Sequence, residues 1–247
     1  AVIVYDTVDL HFLRLEREAQ VSGQPGIARL AEAMRALEVA VTGVADVTLA
    51  VSVAEQTLLR EAHPSADIVV VSNIHESLRR APGPEGRTGL LLVGNFQHPP
   101  NVDSARVMVA DVLPLIRQQR PDAVLRIVGS RMPPDVLALA GPGVEILGWL
   151  PDLTDVHDRS RVMVAPLRYG AGVKGKVGDA LRRGLPVVTS TIGAEGMDLI
   201  DGTHILLADG PEQTAAAVLR LLSDDELWAR LSQRGAEHIS DRLTPRA

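Results

Sequence analysis

Cysteine is absent from the 247 residues. This excludes a disulfide, a thiolate metal site and a cysteine nucleophile, and it is compatible with a reducing compartment. Aromatic side chains are nearly absent: two Phe, two Tyr and two Trp are too few for the stacking platform that single-stranded nucleic acid requires. No apolar run approaches the roughly 18 residues of a membrane span, and nothing resembles a signal peptide, so a cytoplasmic location is expected. Positive charge is also short. The formal net charge is −6, and the arginines are scattered rather than massed, which argues against a nucleic-acid partner held by a broad basic face. Lysine is the scarcest cation: the two lysines, Lys174 and Lys176, stand two positions apart.

What is present is ample apolar material. With 46% apolar and 23% charged residues, the chain can bury a full core, and its length suits one large domain or about two ordinary ones. Residues 1–72 alternate β-branched runs (2–5, 47–51, 68–71) with an amphipathic helical pattern over 27–44. A polar stretch with two prolines and two glycines follows, and 73–88 reads as a linker in which Arg79-Arg80 is a solvated pair. From residue 89 the alternation is regular. Strands are expected at 90–93, 124–128, 144–147, 162–165, 186–189 and 205–207, and helices at 102–119, 134–140, 153–160, 177–183, 211–222 and 225–238. Such alternation predicts an α/β fold: a Rossmann-like parallel sheet over 89–240 with helices on both faces. The preceding 1–72 form an incomplete second α/β unit, and 241–247 a tail. The chain opens without Met on the apolar run Ala1–Tyr5, which reads as a piece of a longer protein cut inside or just before a strand.

In parallel sheets ligands bind beyond the carboxyl ends of strands. Gly94-Asn95, Gly129-Ser130, Gly148-Trp149 and the loop Tyr169-Gly170-Ala171-Gly172-Val173-Lys174-Gly175-Lys176 all fall at such ends. In the last of these, glycines let backbone amides approach an anion, a helix starts at the same spot, and two ammonium groups stand beside it. Together they describe a phosphate cradle. The letters satisfy the dinucleotide pattern G-x-G-x-x-G, but that pattern belongs at the first strand of its domain. They nearly satisfy the P-loop as well, except that Val177 stands where a magnesium-ligating hydroxyl is needed.

The segment 162–189 closely resembles the donor-site segment of family 4 (group 1) retaining glycosyltransferases of the GT-B fold. Gly94–Asp103, Ile127–Ser130, Val144–Leu150 and Gly193–Gly196 are similar to that family's other C-terminal-domain loops. Ala45–Ser52 with Glu55, and the crossover Asn73, resemble the end of its N-terminal domain and the crossover that follows. The resemblance implies a glycosyltransferase fragment that moves a sugar, with retention and without a metal, from a nucleoside-diphosphate sugar to an acceptor. No D-x-D triplet occurs as an alternative metal-binding motif. The alternative is a non-catalytic nucleotide-sugar-binding module of a larger protein. The donor is a substrate and no cofactor is implied. The acceptor is a glycan, lipid or protein, and peripheral membrane contact would come through the missing N-terminal part.

By the same resemblance, Lys176 meets the departing diphosphate, with Lys174 second. Asp179 aligns with the glutamate that holds the donor ribose, one methylene shorter, while the family's other glutamate aligns with Ala171. The donor would also meet Gly94, Asn95, His98, Gly129, Ser130, Tyr169, Gly170, Gly172 and Val173, and its base would rest near Trp149 and Leu150. Trp149 equally suits ordinary packing, and His98 equally suits a loop residue capping the next helix. Asp9 and His11 are candidates for the sugar-side polar group, with helix capping the alternative for Asp9.

Overall fold

The computed structural model describes residues 1–76 and 83–245. The Arg79-Arg80 pair lies outside them. The chain divides into two compact units. One comprises 1–73 together with 168–174 and 194–198, and the other comprises 74–167, 175–193 and 199–247.

The first unit carries a parallel sheet in the order β1 (Val4–Asp6), β2 (Val47–Ala50), β3 (Ile68–Val70). Its helices are α1 (His11–Ser22), α2 (Pro25–Val44) and α3 (Val53–Ala62). Leu10, Phe12, Ala50, Leu59 and Ile68 form its core. Neither α1 nor α3 was expected from the sequence. α3 carries a local signal, since the Ser52 side chain caps it by accepting from the Glu55 amide at 3.2 Å. α1 carries none at its start, where the N-cap Leu10 has no capping side chain, although Gly23 closes its far end in the left-handed conformation. Its first amides go instead to a residue on another helix, with His11 N and Phe12 N donating to the Glu38 carboxylate of α2 at 3.0 and 2.9 Å. Asp9 is therefore not the cap. Its carboxylate lies 3.4 Å from His11 Nδ1 and 3.9 Å from Arg14 Nε.

The second unit is built on a six-stranded parallel sheet. Its strands are β4 (Leu90–Asn95), β5 (Leu125–Ser130), β6 (Val144–Gly148), β7 (Val162–Ala165), β8 (Val187–Thr189) and β9 (Leu206–Leu207), in the spatial order β6-β5-β4-β7-β8-β9. From β4 the chain steps outward through β5 and β6, then returns to place β7 on the opposite side of β4. Between β4 and β7 the winding reverses, which is where an open α/β sheet leaves a crevice at its carboxyl ends. The helices are α4 (Pro99–Val107), α5 (Leu113–Gln119), α6 (Pro134–Leu137), α7 (Thr154–Arg159), α8 (Gly175–Arg182), α9 (Thr191–Ala194), α10 (Pro211–Ser223) and α11 (Asp225–Arg242). Leu90, Leu92, Leu125, Ile127, Val162, Val164 and Trp228 are among the residues of its core.

Two local departures from expectation have simple causes. The helix expected over 102–119 begins earlier, at Pro99, because proline loses nothing at a position whose amide has no partner. It then widens into a π turn at Met108–Val112 just before Pro114. Proline cannot donate and crowds the preceding turn, and the extra residue relieves both. At the far end, Asp224 caps α11 by accepting from Leu227 N at 2.8 Å, as its place before an acidic first turn suggested.

Candidate functional site

A cavity of about 260 Å³ opens in the second unit, lined by Val93, Gly94, Asn95, Asn101, Leu153, His157, Lys176 and Asp179. β4 contributes its carboxyl end, α4 its first turn, and α8, the helix after β7, its first two turns. This is the crevice predicted by the strand order.

Close approach explains the glycines that end β4 and β5. A methyl group at Gly94 would meet Asn101 Cγ at 2.9 Å, and one at Gly129 would sit 1.7 Å from the Gly94 carbonyl oxygen. Gly94 and Gly129 are register partners on β4 and β5. Gly129 is thus required by backbone contact alone, and Gly94 makes room for Asn101. The Asn101 amide donates to the Asn95 carbonyl at 2.7 Å, and its Oδ1 accepts from Lys176 Nζ. The Lys176 ammonium is so held at the cavity wall, beside the N-terminus of α8.

Asp179 stands one turn further along α8. Its Oδ1 receives Arg182 Nε at 2.8 Å and lies 3.4 Å from His75 Nδ1. Burial pushes this carboxyl up, but hydrogen bonds from His75 and Arg182 outweigh it and hold it below the usual carboxylate range. His157 is buried, with Nδ1 2.7 Å from the Leu153 carbonyl, and burial lowers its pKa.

The glycine loop, 168–174, belongs to the first unit and is tied down there by the buried Glu55 and a half-buried Arg17–Glu195 pair. Glu55 Oε1 accepts from Gly172 N at 2.8 Å and from Leu10 N at 3.4 Å. Arg17 forks onto Glu195 at 2.7 and 2.8 Å and donates to the Gly170 carbonyl at 2.6 Å. Asn73 donates to the Val173 carbonyl at 3.0 Å. Gly172 adopts φ +70°, and a methyl group there would meet Asp9 Cβ at 2.8 Å, so this position admits only glycine without strain. Lys174 Nζ donates to the Ala171 and Gly172 carbonyls.

Burial, with a smaller push from Arg17, outweighs the opposing pull of Glu195, Glu55 and Asp9 and lowers the Lys174 ammonium from 10.5 to about 8. The sign of its pH effect follows. Between about 8 and 10.5 the unfolded chain holds this proton and the folded chain does not, so stability due to Lys174 rises with pH across that window. Denaturant unfolding of wild type and Lys174→Met, compared from pH 8 to 10.5, should show wild type gaining on the variant. Parallel curves would show that the amine is not desolvated.

Of the residues expected from sequence, the cavity gathers Gly94, Asn95, Lys176 and Asp179. Lys174, Gly170, Gly172 and Val173 lie in the loop of the first unit, where Tyr169 is buried. His98, Gly129, Ser130, Trp149 and Leu150 are not among the lining residues. His98 is the N-cap of α4 but makes no capping side-chain hydrogen bond. Trp149 is 68% exposed. His11 Nδ1 lies 3.2 Å from Glu38. Val93, Asn101, Leu153 and His157 are the lining residues that sequence reasoning passed over. The sequence signal for Asn101 was its place two residues into a proline-started helix behind a glycine-ended strand; Leu153 and His157 had none. Among the described residues no group of three or more His, Asp or Glu side chains is arranged to hold a metal ion.

A doubly wound parallel sheet with a cavity at its switch point, beside a helix N-terminus and a lysine, defines a Rossmann-like α/β protein. The family described as glycosyl transferases group 1 matches residues 87–224, more than half of the chain, and the chain belongs to that family. In sequence it is similar to trehalose synthase of Rubrobacter xylanophilus, 40% identical over 86 residues, covering 34% of this chain and 20% of that enzyme. In structure it is similar to sucrose-phosphate synthase of Thermosynechococcus elongatus, with a TM-score of 0.77 and 19% identity over 98% of this chain and 63% of that one. It is also similar to HepE of Anabaena, crystallised with UDP and glucose, with a TM-score of 0.74 and 15% identity over 98% of this chain and 68% of that one. The chain spans 20% to 33% of the length of the curated relatives it matches. Among the described residues no helix is long and apolar enough to cross a membrane.

Proposed function

We propose that the chain binds a nucleoside-diphosphate sugar in this cavity and takes part in transferring the sugar, with retention and without a metal, to an acceptor borne by a glycan, lipid or protein, as a family 4 enzyme would. The single observation that carries the reading is the convergence of Lys176, Asp179 and the β4 carboxyl end on one cavity at the start of α8. When the bond between sugar and diphosphate breaks, negative charge develops on the leaving phosphate. A preorganised ammonium beside helix amides stabilises that charge more than it stabilises the intact donor. Lys176 is the group in this role. Asp179, with one oxygen fixed by Arg182, presents a carboxylate suited to hydroxyls of the donor ribose. Because HepE was crystallised with UDP and glucose, UDP and UDP-glucose are the first ligands to test.

One observation favours a second reading, a nucleotide-sugar-binding module without catalysis. Ala171 stands where the family carries a glutamate, and the neighbouring Lys174 amine closes on loop carbonyls. Calorimetry with UDP, GDP and ADP tests the binding common to both readings: heat with at least one is expected, and none from folded protein would end both. Donor hydrolysis by the chain in its full-length context then separates them.

A further inference from the structure

Beside Asp179 stands a buried histidine. His75 is 6% exposed. Its Nε2 is buried without a hydrogen bond. Its Nδ1 lies 3.4 Å from Asp179 Oδ1. The ring is wedged against α8 at Gly178, where an added methyl group would come within 2.2 Å of Nε2. The backbone on either side of the ring is also fixed: His75 N donates to the Leu243 carbonyl at 2.7 Å, and Arg182 Nη1 donates to the Glu76 carbonyl at 3.1 Å. A buried imidazole with one free nitrogen is unfavourable by itself, so its placement calls for something gained elsewhere.

We infer that His75 is a positioning residue: with Arg182 it pins Oδ1 of Asp179 and so leaves the second carboxylate oxygen directed at a ribose hydroxyl in the cavity, making the site selective for ribonucleotides over 2′-deoxyribonucleotides. This rests on the reading of Asp179 as the ribose contact. An aspartate on a helix has several side-chain orientations and a short reach. Two donors converging on the same oxygen select one orientation, and a fixed acceptor loses less entropy on binding than a mobile one. Gly178 belongs to the device, because any side chain there would displace the ring.

Binding of UDP and 2′-deoxy-UDP to the 247-residue chain, measured by calorimetry, tests this, with GDP or ADP pairs substituted if the base differs. Wild type and four variants are compared: Asp179→Asn, His75→Phe, His75→Asn and Gly178→Ala. Wild type should prefer the ribonucleotide by about tenfold, the value of one well-placed hydrogen bond, and Asp179→Asn should reduce that preference. His75→Phe, which keeps the ring but not the donor, and Gly178→Ala, which pushes the ring aside, should reduce it equally. His75→Asn places an amide nitrogen close to where Nδ1 stood and should restore most of it. A merely structural histidine would change melting temperature and affinity for both nucleotides alike, leaving their ratio untouched. If wild type shows no preference, or Asp179→Asn keeps it, the ribose reading of Asp179 fails and the inference falls with it. If Asp179→Asn loses the preference while folded His75→Phe retains it, only the role given to His75 is overturned.

Discussion

Replacing Lys176 with alanine should weaken binding of a nucleoside diphosphate about 10- to 150-fold while leaving the melting temperature of the free protein nearly unchanged. The two effects separate because of where the side chain lies. Lys176 sits in the first turn of α8, half-buried, with its ammonium on the Asn101 side chain at the cavity wall. Truncation leaves Asn101 Oδ1 to water in an open cavity, and such changes away from the core usually alter stability by no more than about 0.5 kcal/mol. The bound diphosphate, by contrast, loses its charge-assisted hydrogen bond, worth about 1.5–3 kcal/mol. In turnover the loss should be greater, about 10²–10³ in rate, because charge on the leaving phosphate is largest in the transition state. Lys176→Arg should recover part of the binding and less of the rate, since a planar guanidinium cannot occupy the same point as a compact ammonium. Calorimetry with UDP and initial rates with UDP-glucose measure both. Unchanged affinity in Lys176→Ala would remove the central group of the proposed site.

How much of this was legible from sequence depends on how local each cause is. The strands of the second sheet were readable because both faces of a parallel sheet are covered, so each strand is a continuous β-branched or leucine run such as Leu90–Val93 or Val162–Ala165. The strand order was not readable, and with it the place of the crevice: that β7 returns beside β4 rather than beside β6 is a matter of packing across the sheet. α8 announced itself by glycine, lysine and an amphipathic run. α1 did not, because its amides are satisfied by Glu38, a residue 27 positions away. The lysine pair was read as one feature, but the two amines have different environments: Lys176 reaches the cavity and Lys174 folds back onto its own loop. Spacing in sequence could not distinguish them, since that difference is set by what the flanking glycines pack against. The partners of the loop, Arg17, Glu195 and Glu55, lie more than a hundred residues away or beyond an intervening helix. Of these, Glu55 and Glu195 were visible as members of family-like segments but not as buried ligands of backbone.

Glu55→Ala should be strongly destabilising to the first unit. Glu55 is 2% exposed, and one oxygen accepts from Gly172 N at 2.8 Å and from Leu10 N at 3.4 Å. It therefore holds the glycine loop and the entry to α1 at once. Removing it strands buried amides without acceptors at about 1–3 kcal/mol each, and it opens a void besides, so a loss of about 2–4 kcal/mol is expected. An opposing term exists: burial raises the Glu55 pKa above the usual carboxylate range, and its Oε2 has no hydrogen bond. The carboxylate is thus a strained ligand, and Glu55→Gln, which keeps one carbonyl oxygen and carries no charge, should cost much less than alanine. The raised pKa also fixes the sign of the pH effect. The folded state releases the Glu55 proton at higher pH than the unfolded state, so wild type should lose stability relative to Glu55→Gln as pH rises through the carboxylate range. Hydrogen exchange read at the Leu10 and Gly172 amides, with denaturant midpoints, locates the damage. Exchange at both should accelerate together in Glu55→Ala, since one carboxylate serves both. If Gly172 alone is exposed, or alanine is tolerated as well as glutamine, then backbone geometry rather than this buried acid holds the loop in place.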